Sequence, residues 1–391
     1  MIPGMVFAIG LTFLLTLVAR NRGVSAVLLL VALGGLLAVM LRVPIWISPL
    51  ADVLGVLMAG FPSDILPSLG TPDVFVQRLA ILLIGCSMIV LAAAVHPRKD
   101  DGAPSRRGMI GAAGVVIGIL ALGWVVQLRV GLLDDLERWR TVHEAHAAEP
   151  GPDVRSIRGT VDVDPGTRIG LDLELAYVPV ADVPNGPARF TWNPGLEIES
   201  IRDSSGGEVA FTHEDGLLEI GAPPAVGADG EVRLRMVATG SPDSDFAYLD
   251  AEIHPFEVGA WDAQIFLLGF ESSVFESRFV GLMPGISWLP TSGAMPVGEA
   301  ARDRVTDFFR LDLTVQVPDD WTAVVAGTRS EGEGGGQRFA PGVPVPPVAL
   351  FASEFERRAV EIDGVVVEAL LHRKHAGAYE VFGESSDEIA T

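Results

Sequence analysis

The chain has 391 residues, 49% of them hydrophobic, with a mean hydropathy of +0.38 and a formal charge of −22. So apolar a composition is unusual for a soluble protein and so negative a charge is unusual for a membrane bundle, which means that two dissimilar parts are being averaged. Up to Glu149 there are 11 Lys+Arg against 10 Asp+Glu; subtracting from the totals of 28 and 50 leaves 17 against 40, an acidic second part that argues against nucleic acid as a partner.

The first apolar segment is 5–19 (MVFAIGLTFLLTLVA), with Arg20 and Arg22 directly behind it. A secretory signal carries its basic residues in front of the apolar run, so this order predicts an uncleaved helix. Residues 24–41 and 77–95 are a second and third span, and Arg78 sits near enough to the end of the third to snorkel. The stretch 108–128 (GMIGAAGVVIGILALGWVVQL) is uncharged. At a 1.5 Å rise per residue, about twenty such residues cross a hydrocarbon core of roughly 30 Å, so it is the fourth span. Its Gly111, Gly114 and Gly118 include a G-x-x-x-G pair suited to close helix approach. The only cysteine, Cys86, lies within an apolar run, so there is no disulfide framework and no cysteine zinc site. Acidic residues and histidines are missing from the interior of all four spans, which argues against a proton relay built from them alone.

Basic residues lie between the first and second spans (Arg20, Arg22) and between the third and fourth (Arg98, Lys99, Arg106, Arg107). Residues 43–76 carry Asp52, Asp64 and Asp73 and neither Lys nor Arg. Positive charge stays cytoplasmic, so the expectation is a multi-pass cell-membrane protein with 43–76 outside and everything after 128 extracytoplasmic. PLADVLGVLMAGF in the middle loop is too short to span and reads as an interfacial or re-entrant segment.

Residues 129–149 are polar and helix-forming, a juxtamembrane helix or stalk ending at Pro150-Gly151-Pro152. Beyond them the pattern alternates with a period of two. RGTVDVD, RIGLDLELAYVPV, RFTWNP, LEIESI, EVAFTH, LLEIG and EVRLRMVA are short β-branched or aromatic runs separated by Pro/Gly/Asn turns. The pattern returns in 307–327, 346–364 and 365–374. The fold class is therefore an α-helical membrane region of about four spans followed by an all-β, antiparallel sandwich or saddle domain. Between two late strands, EGEGGGQ (331–337) lacks the G-K-[ST] ending of a phosphate loop and is expected to be a flexible hairpin tip.

Four groups of residues carry a family resemblance: Trp288-Leu289-Pro290, Val317-Pro318, Val325-Ala326-Gly327 and Ser353-Glu354-Phe355-Glu356. With ARFTWNPGLEIESI upstream, 153–391 resembles the N-terminal β-domain of aminopeptidase N-like zinc peptidases, and the preceding helices resemble bacterial fusions of an ABC-transporter-type permease to an aminopeptidase-like region. The resemblance implies domains at 1–128 (multi-pass membrane region), 129–149 (stalk), 150–378 (β-domain) and 379–391 (start of a truncated catalytic domain). That family removes N-terminal residues from peptides with a zinc held by H-E-x-x-H. No such motif occurs here, so zinc is expected in the missing domain and this chain is expected to be inactive alone.

His143-Glu144-Ala145-His146 has the wrong spacing and reads as a solvated helix face, and His372 and His375 read as surface residues. The family's β-domain also supplies a polar side chain that grips the substrate's amino terminus. Glu271, Glu276 and Arg278 stand where it would fall, and Glu276 is the candidate. Expected partners are the lipid bilayer, a peptide substrate and an ABC ATPase subunit. Two other readings stay open: an ABC-type permease component whose β-domain binds or gates the substrate, and a membrane-tethered scaffold.

Overall fold

A computed structural model describes residues 2–56, 72–96, 104–180, 186–221, 226–247, 249–251, 257–259, 273–295, 306–362 and 365–373. The chain divides into two compact units: 1–62, 68–134 and 253–270 form one, and 63–67, 135–252 and 271–391 the other.

The first unit is helical. It contains α1 (Ile2–Ala19), α2 (Arg22–Arg42), α3 (Pro72–Val95) and most of α4 (Pro104–Glu144). All four helices are long and apolar enough to cross a membrane. Asn21 caps α2 by accepting from the N–H groups of Gly23 and Val24, satisfying donors that the first turn leaves unpaired. The helices meet through glycines. A Cβ on Gly85 would lie 2.6 Å from the Phe7 nitrogen, and one on Gly10 would meet the Gly85 carbonyl, so α1 and α3 cross backbone to backbone. Gly111, Gly114 and Gly118 face Leu91, Ser87 and Ile84 of α3, so the G-x-x-x-G stripe packs a helix as its pattern predicts. Both Gly34 and Gly35 of α2 meet nothing within 4 Å.

The Arg78 guanidinium is largely buried, 3.7 Å from the fully buried Asp52 carboxylate. Asp52 Oδ1 accepts from the N–H groups of Gly55 and Val56, and Gln77 donates from Nε2 to the carbonyls of Pro49 and Asp52. Arg129 of α4 joins the same loop to both neighbouring helices, donating to Ile45 O at 3.1 Å and pairing with Asp73 at 3.2 Å. These pairs consume charges that would otherwise be buried unpaired. Of the middle loop, the described part is a short 3-10 turn at Ser48–Leu50 and residues up to Val56; the rest of PLADVLGVLMAGF lies outside the described residues.

The uncharged stretch 108–128 and the polar segment that follows it form one uninterrupted helix of 41 residues. No Pro or helix-breaking turn separates them in sequence, so nothing stops the helix before Glu144.

The second unit is built of strands. In chain order they are β1 (Asp153–Asp164), β2 (Arg168–Val178), β3 (Ala188–Thr191), β4 (Leu196–Asp203), β5 (Phe211–Glu214), β6 (Leu217–Ile220) and β7 (Val232–Gly240). Then come β8 (Val274–Glu276), β9 (Phe279–Leu282), β10 (Thr291–Ser292), β11 (Arg310–Gln316), β12 (Thr322–Val324), β13 (Arg329–Glu331), β14 (Gln337–Phe339), β15 (Leu350–Ser353), β16 (Phe355–Ile362) and β17 (Val365–His372). A seven-stranded sheet runs β13-β14-β11-β1-β2-β7-β4, with two four-stranded sheets, β10-β3-β6-β5 and β12-β15-β9-β8, and a hairpin, β16-β17. The core is filled by the inward set of each strand, such as Ile169, Leu171, Leu173 and Leu175 of β2, with Phe190, Trp192 and Trp288 fully buried among them.

The expectation of an antiparallel domain is corrected at one place. β1 and β11 pair in parallel from Ser156↔Arg310 to Asp162↔Gln316, which makes the large sheet mixed. Alternation of apolar residues reports which face is buried and not the direction of the neighbouring strand, and a parallel neighbour needs only a long crossover, here the chain between Asp164 and Arg310.

The Glu331–Gln337 stretch is a hairpin tip, closing the β13–β14 pair with Gly334 and Gly335 at φ 65° and 83°. Such angles favour glycine, which explains the run of glycines without any phosphate to cradle. His372 ends β17; His375 and 379–391 lie outside the described residues.

Candidate functional site

Two motifs that sequence inspection treats separately interlock. Pro284–Ile286 is a short 3-10 turn, and Ser287 ends it in the left-handed conformation at φ 48°, which swings Trp288 into the core. Ser287 is buried and non-glycine, so its backbone stores strain that its surroundings must hold. They do so through Asn193, whose N–H donates to Ser287 O at 3.0 Å and whose Nδ2 donates to Ile286 O and Asp243 O at 2.8 and 2.9 Å. Its Oδ1 accepts from Gly195 and Asp243 at 3.0 and 2.7 Å, so the whole amide is used. Trp192 Nε1 donates to Trp288 O at 3.1 Å and Trp288 Nε1 to Val348 O at 2.8 Å. Each buried indole thus has its partner. The WNPG and SWLP strings form one node, and Asn193 is its centre.

The other motif residues fall at element ends. Val317-Pro318 follows β11, and Val325-Ala326-Gly327 follows β12 with Gly327 at φ 103°. Ser353 to Glu356 spans the step from β15 to β16. Glu276 is exposed at the end of β8, at the β8–β9 turn, and pairs in register with Phe279. Arg278, also exposed, occupies the same turn, and its carbonyl accepts from Ser353 Oγ at 2.7 Å. The fold therefore brings the turn holding Glu276 and Arg278 against the Ser353-Glu354 step, 75 residues apart in sequence. Glu271 lies outside the described residues.

His143 is not on a solvated face: it is fully buried. Its Nδ1 accepts from the Met295 N–H at 3.0 Å, and Nε2 lies 3.3 Å from Asp215 O, which assigns the neutral tautomer with the proton on Nε2. Around it Leu136 and Trp139 of α4 pack with Phe246 and Leu249, Trp139 edge-on to Phe246 at 5.1 Å. Arg138 pairs with Asp215 at 2.6 Å, and Arg140 donates to Ala251 O at 2.8 Å. Glu144 is exposed, and His146 turns instead to Glu149 at 2.9 Å. With both His143 nitrogens engaged and Glu144 facing away, this string does not fit zinc. Among the described residues no group of three His, Cys, Asp or Glu stands close enough to hold a metal ion.

A cleft of about 1090 Å³ opens beside this region, lined by the chain entry Ala147–Val154, by Asp250, by Thr291–Met295 and by Asp307. Its described lining holds carboxylates and hydroxyls and neither Lys nor Arg, so it offers acceptors to a ligand that donates. Burial, with the charge of Asp153 adding, pushes the Asp307 carboxyl above the usual range; the Val154 N–H, which Asp307 Oδ2 accepts at 3.0 Å, pulls the other way. A smaller cleft of about 160 Å³ shares Glu149 and Pro152 and reaches Tyr177 and Arg189. Tyr177 is fully buried against Phe190, and its hydroxyl has no hydrogen-bond partner among the described residues. Sequence reasoning missed both Tyr177 and Asn193, since each sits in an alternating run that reads as plain strand.

No protein-family model matches the chain, and no curated protein matches it. Its neighbours among solved structures are M1 zinc metallopeptidases. The Deinococcus radiodurans enzyme is 17% identical with TM-score 0.39, over 56% of this chain and 46% of that one. A mutant of it bound to a Tyr-Ser-Ala substrate is 18% identical with the same score and coverage. Yeast LTA4 hydrolase in complex with bestatin is 11% identical with TM-score 0.35, over 55% of this chain and 31% of that one. The chain thus spans about half the length of the first of these, and likenesses this distant are similarities of fold alone.

Proposed function

We propose that this protein is a membrane-anchored carrier of an aminopeptidase-type β-domain, without hydrolytic chemistry of its own, whose complete form trims peptides from their amino termini. The single observation that carries the reading is α4. One helix contains an uncharged stretch, 108–128, long enough to cross a bilayer, and buries Leu136, Trp139 and His143 among strand-unit residues at its other end.

The W-x-P node, the Val-Pro and Ala-Gly turns and the strand step at Ser353 support the family reading of the β-domain. Glu276 is the proposed contact to a substrate's amino terminus. Zinc belongs to a catalytic domain that these residues do not supply.

Orientation follows from charge. Phe7 of α1 lies by Gly85 of α3 and Gly10 by Met88, so those helices run parallel, while α4 runs antiparallel to α3, Gly111 by Leu91 and Gly118 by Ile84. Both basic connections therefore fall at one end of the helical unit, which supports a cytoplasmic placement of that end and an extracytoplasmic β-domain.

Protease applied to intact spheroplasts tests this: cleavage in 150–373 without cleavage near Arg106 is expected, and the reverse sinks the orientation. Zinc content and aminopeptidase activity of the purified chain are expected at background, and robust activity would overturn the non-catalytic assignment. Co-purification of a stoichiometric ATPase would favour the permease reading instead.

A further inference from the structure

The two ends of the helical unit treat arginine differently. At the end holding Asp52 and Asp73, Arg78 and Arg129 are spent internally on carboxylates and loop carbonyls. At the other end, Arg20, Arg22, Arg106 and Arg107 are all exposed, and among the described residues none of their side chains makes a hydrogen bond or ion pair. In sequence the two connections there carry six basic residues (Arg20, Arg22, Arg98, Lys99, Arg106, Arg107) against two acidic ones, Asp100 and Asp101.

The helix starts make the imbalance larger. Both α2 and α4 begin at this end, and neither has an acidic residue in its first turn, where carboxylates would offset the positive pole of the helix dipole. Arginines stand there instead, so side chains and dipoles add in sign with nothing described among the residues to oppose them. Such an arrangement raises the energy of the chain unless an anion outside it comes close.

We propose that this end is a docking surface for phosphate-bearing anionic lipid headgroups. The occupant follows from position. The four arginines stand at the ends of apolar helices, within two residues in sequence of exposed apolar side chains such as Val18, Val24 and Met109. A ligand meeting both must carry a phosphate next to acyl chains, which a lipid does and free phosphate does not. Guanidinium groups suit it because they fork two N–H donors onto one phosphate. The inference rests on the membrane-spanning reading.

The test uses the full chain in a neutral detergent, offered equal amounts of phosphatidylglycerol and phosphatidylcholine, with retained lipids counted by native mass spectrometry. Phosphatidylglycerol is expected to be retained preferentially. Each single change, Arg22→Gln or Arg107→Gln, is expected to weaken that retention about fivefold, and the four-site Gln variant to abolish the preference. Arg42→Gln, an exposed arginine at the opposite end, is expected to leave it unchanged. Equal retention of both lipids, a preference that survives in the four-site variant, displacement by inorganic phosphate, or an equal effect of Arg42→Gln would each overturn the proposal. Flotation with phosphatidylcholine vesicles separates the two layers of argument: a chain that fails to insert sinks the membrane reading, whereas one that inserts without lipid preference sinks only this inference.

Discussion

The backbone N–H of Met295 donates to Nδ1 of His143 across 3.0 Å, joining the last turn of a 41-residue helix to a loop 152 residues later. The ring is fully buried, and its other nitrogen faces the Asp215 carbonyl. His143→Ala would leave a cavity beside Phe246 and remove the partner of a part-buried N–H, so a loss of about 2–4 kcal/mol of stability is expected. Chemical denaturation of the full chain, followed by tryptophan fluorescence, measures it. A variant as stable as the parent would show that this contact does not hold the helix.

Tyr177 should behave in the opposite way. Its hydroxyl is buried without a partner, so Tyr177→Phe removes a desolvation cost and is expected to be neutral or to stabilise by up to about 1 kcal/mol. Burial also pushes its pKa up to about 12. With the folded value above the unfolded value of about 10, the contribution is present below pH 10 and lost as pH rises from there toward 12. The phenylalanine variant should therefore show a shallower alkaline limb; a clear loss of stability at neutral pH would mean the hydroxyl has a partner.

On the acid side the informative group is His213. Its imidazole donates from Nε2 to the Trp192 carbonyl at 3.0 Å, and burial lowers its pKa below the usual 6.5, against the weaker upward pull of that hydrogen bond. A depressed folded value means that the unfolded chain takes up the proton first. Stability is thus whole above about pH 6.5 and falls as pH drops below it, by at most about 1.4 kcal/mol per unit, until the folded value is passed. His213→Gln should flatten that slope in denaturation curves at pH 7, 6 and 5, and an unchanged slope would point to other groups.

The helical unit offers a matched pair of glycines. A methyl group on Gly85 would sit 2.6 Å from the backbone nitrogen of Phe7, whereas one on Gly34 meets nothing within 4 Å. Gly85→Ala is expected to destabilise by about 1–3 kcal/mol through forced separation of α1 and α3. Gly34→Ala is expected to stabilise by up to about 1 kcal/mol, because alanine is the better helix former. Thermal unfolding in detergent ranks the two, and equal effects would show that α1 and α3 do not pack as closely as these positions require.

Much of this architecture was legible in the residue order. The apolar runs at 5–19, 24–41, 77–95 and 108–128 each fall in a helix, since a helix pairs the backbone donors and acceptors of an apolar stretch within the segment itself. The period-two runs became strands for an equally local reason: alternation places one face of each on the core. Even Gly111, Gly114 and Gly118 could be read as a packing stripe, because their spacing is that of one helix face.

What tertiary structure decided is everything that depends on which strand or helix lies alongside. The parallel pairing of β1 with β11, the burial of His143, the pairing of Arg78 with Asp52 and the joining of Asn193 to the Ser287 turn all link residues far apart in the chain. Periodicity reports only which face of an element is apolar, and a polar residue reads as solvent-facing until its partner is known. Desolvation reverses that reading once every donor and acceptor finds a match, and the match is supplied by the fold.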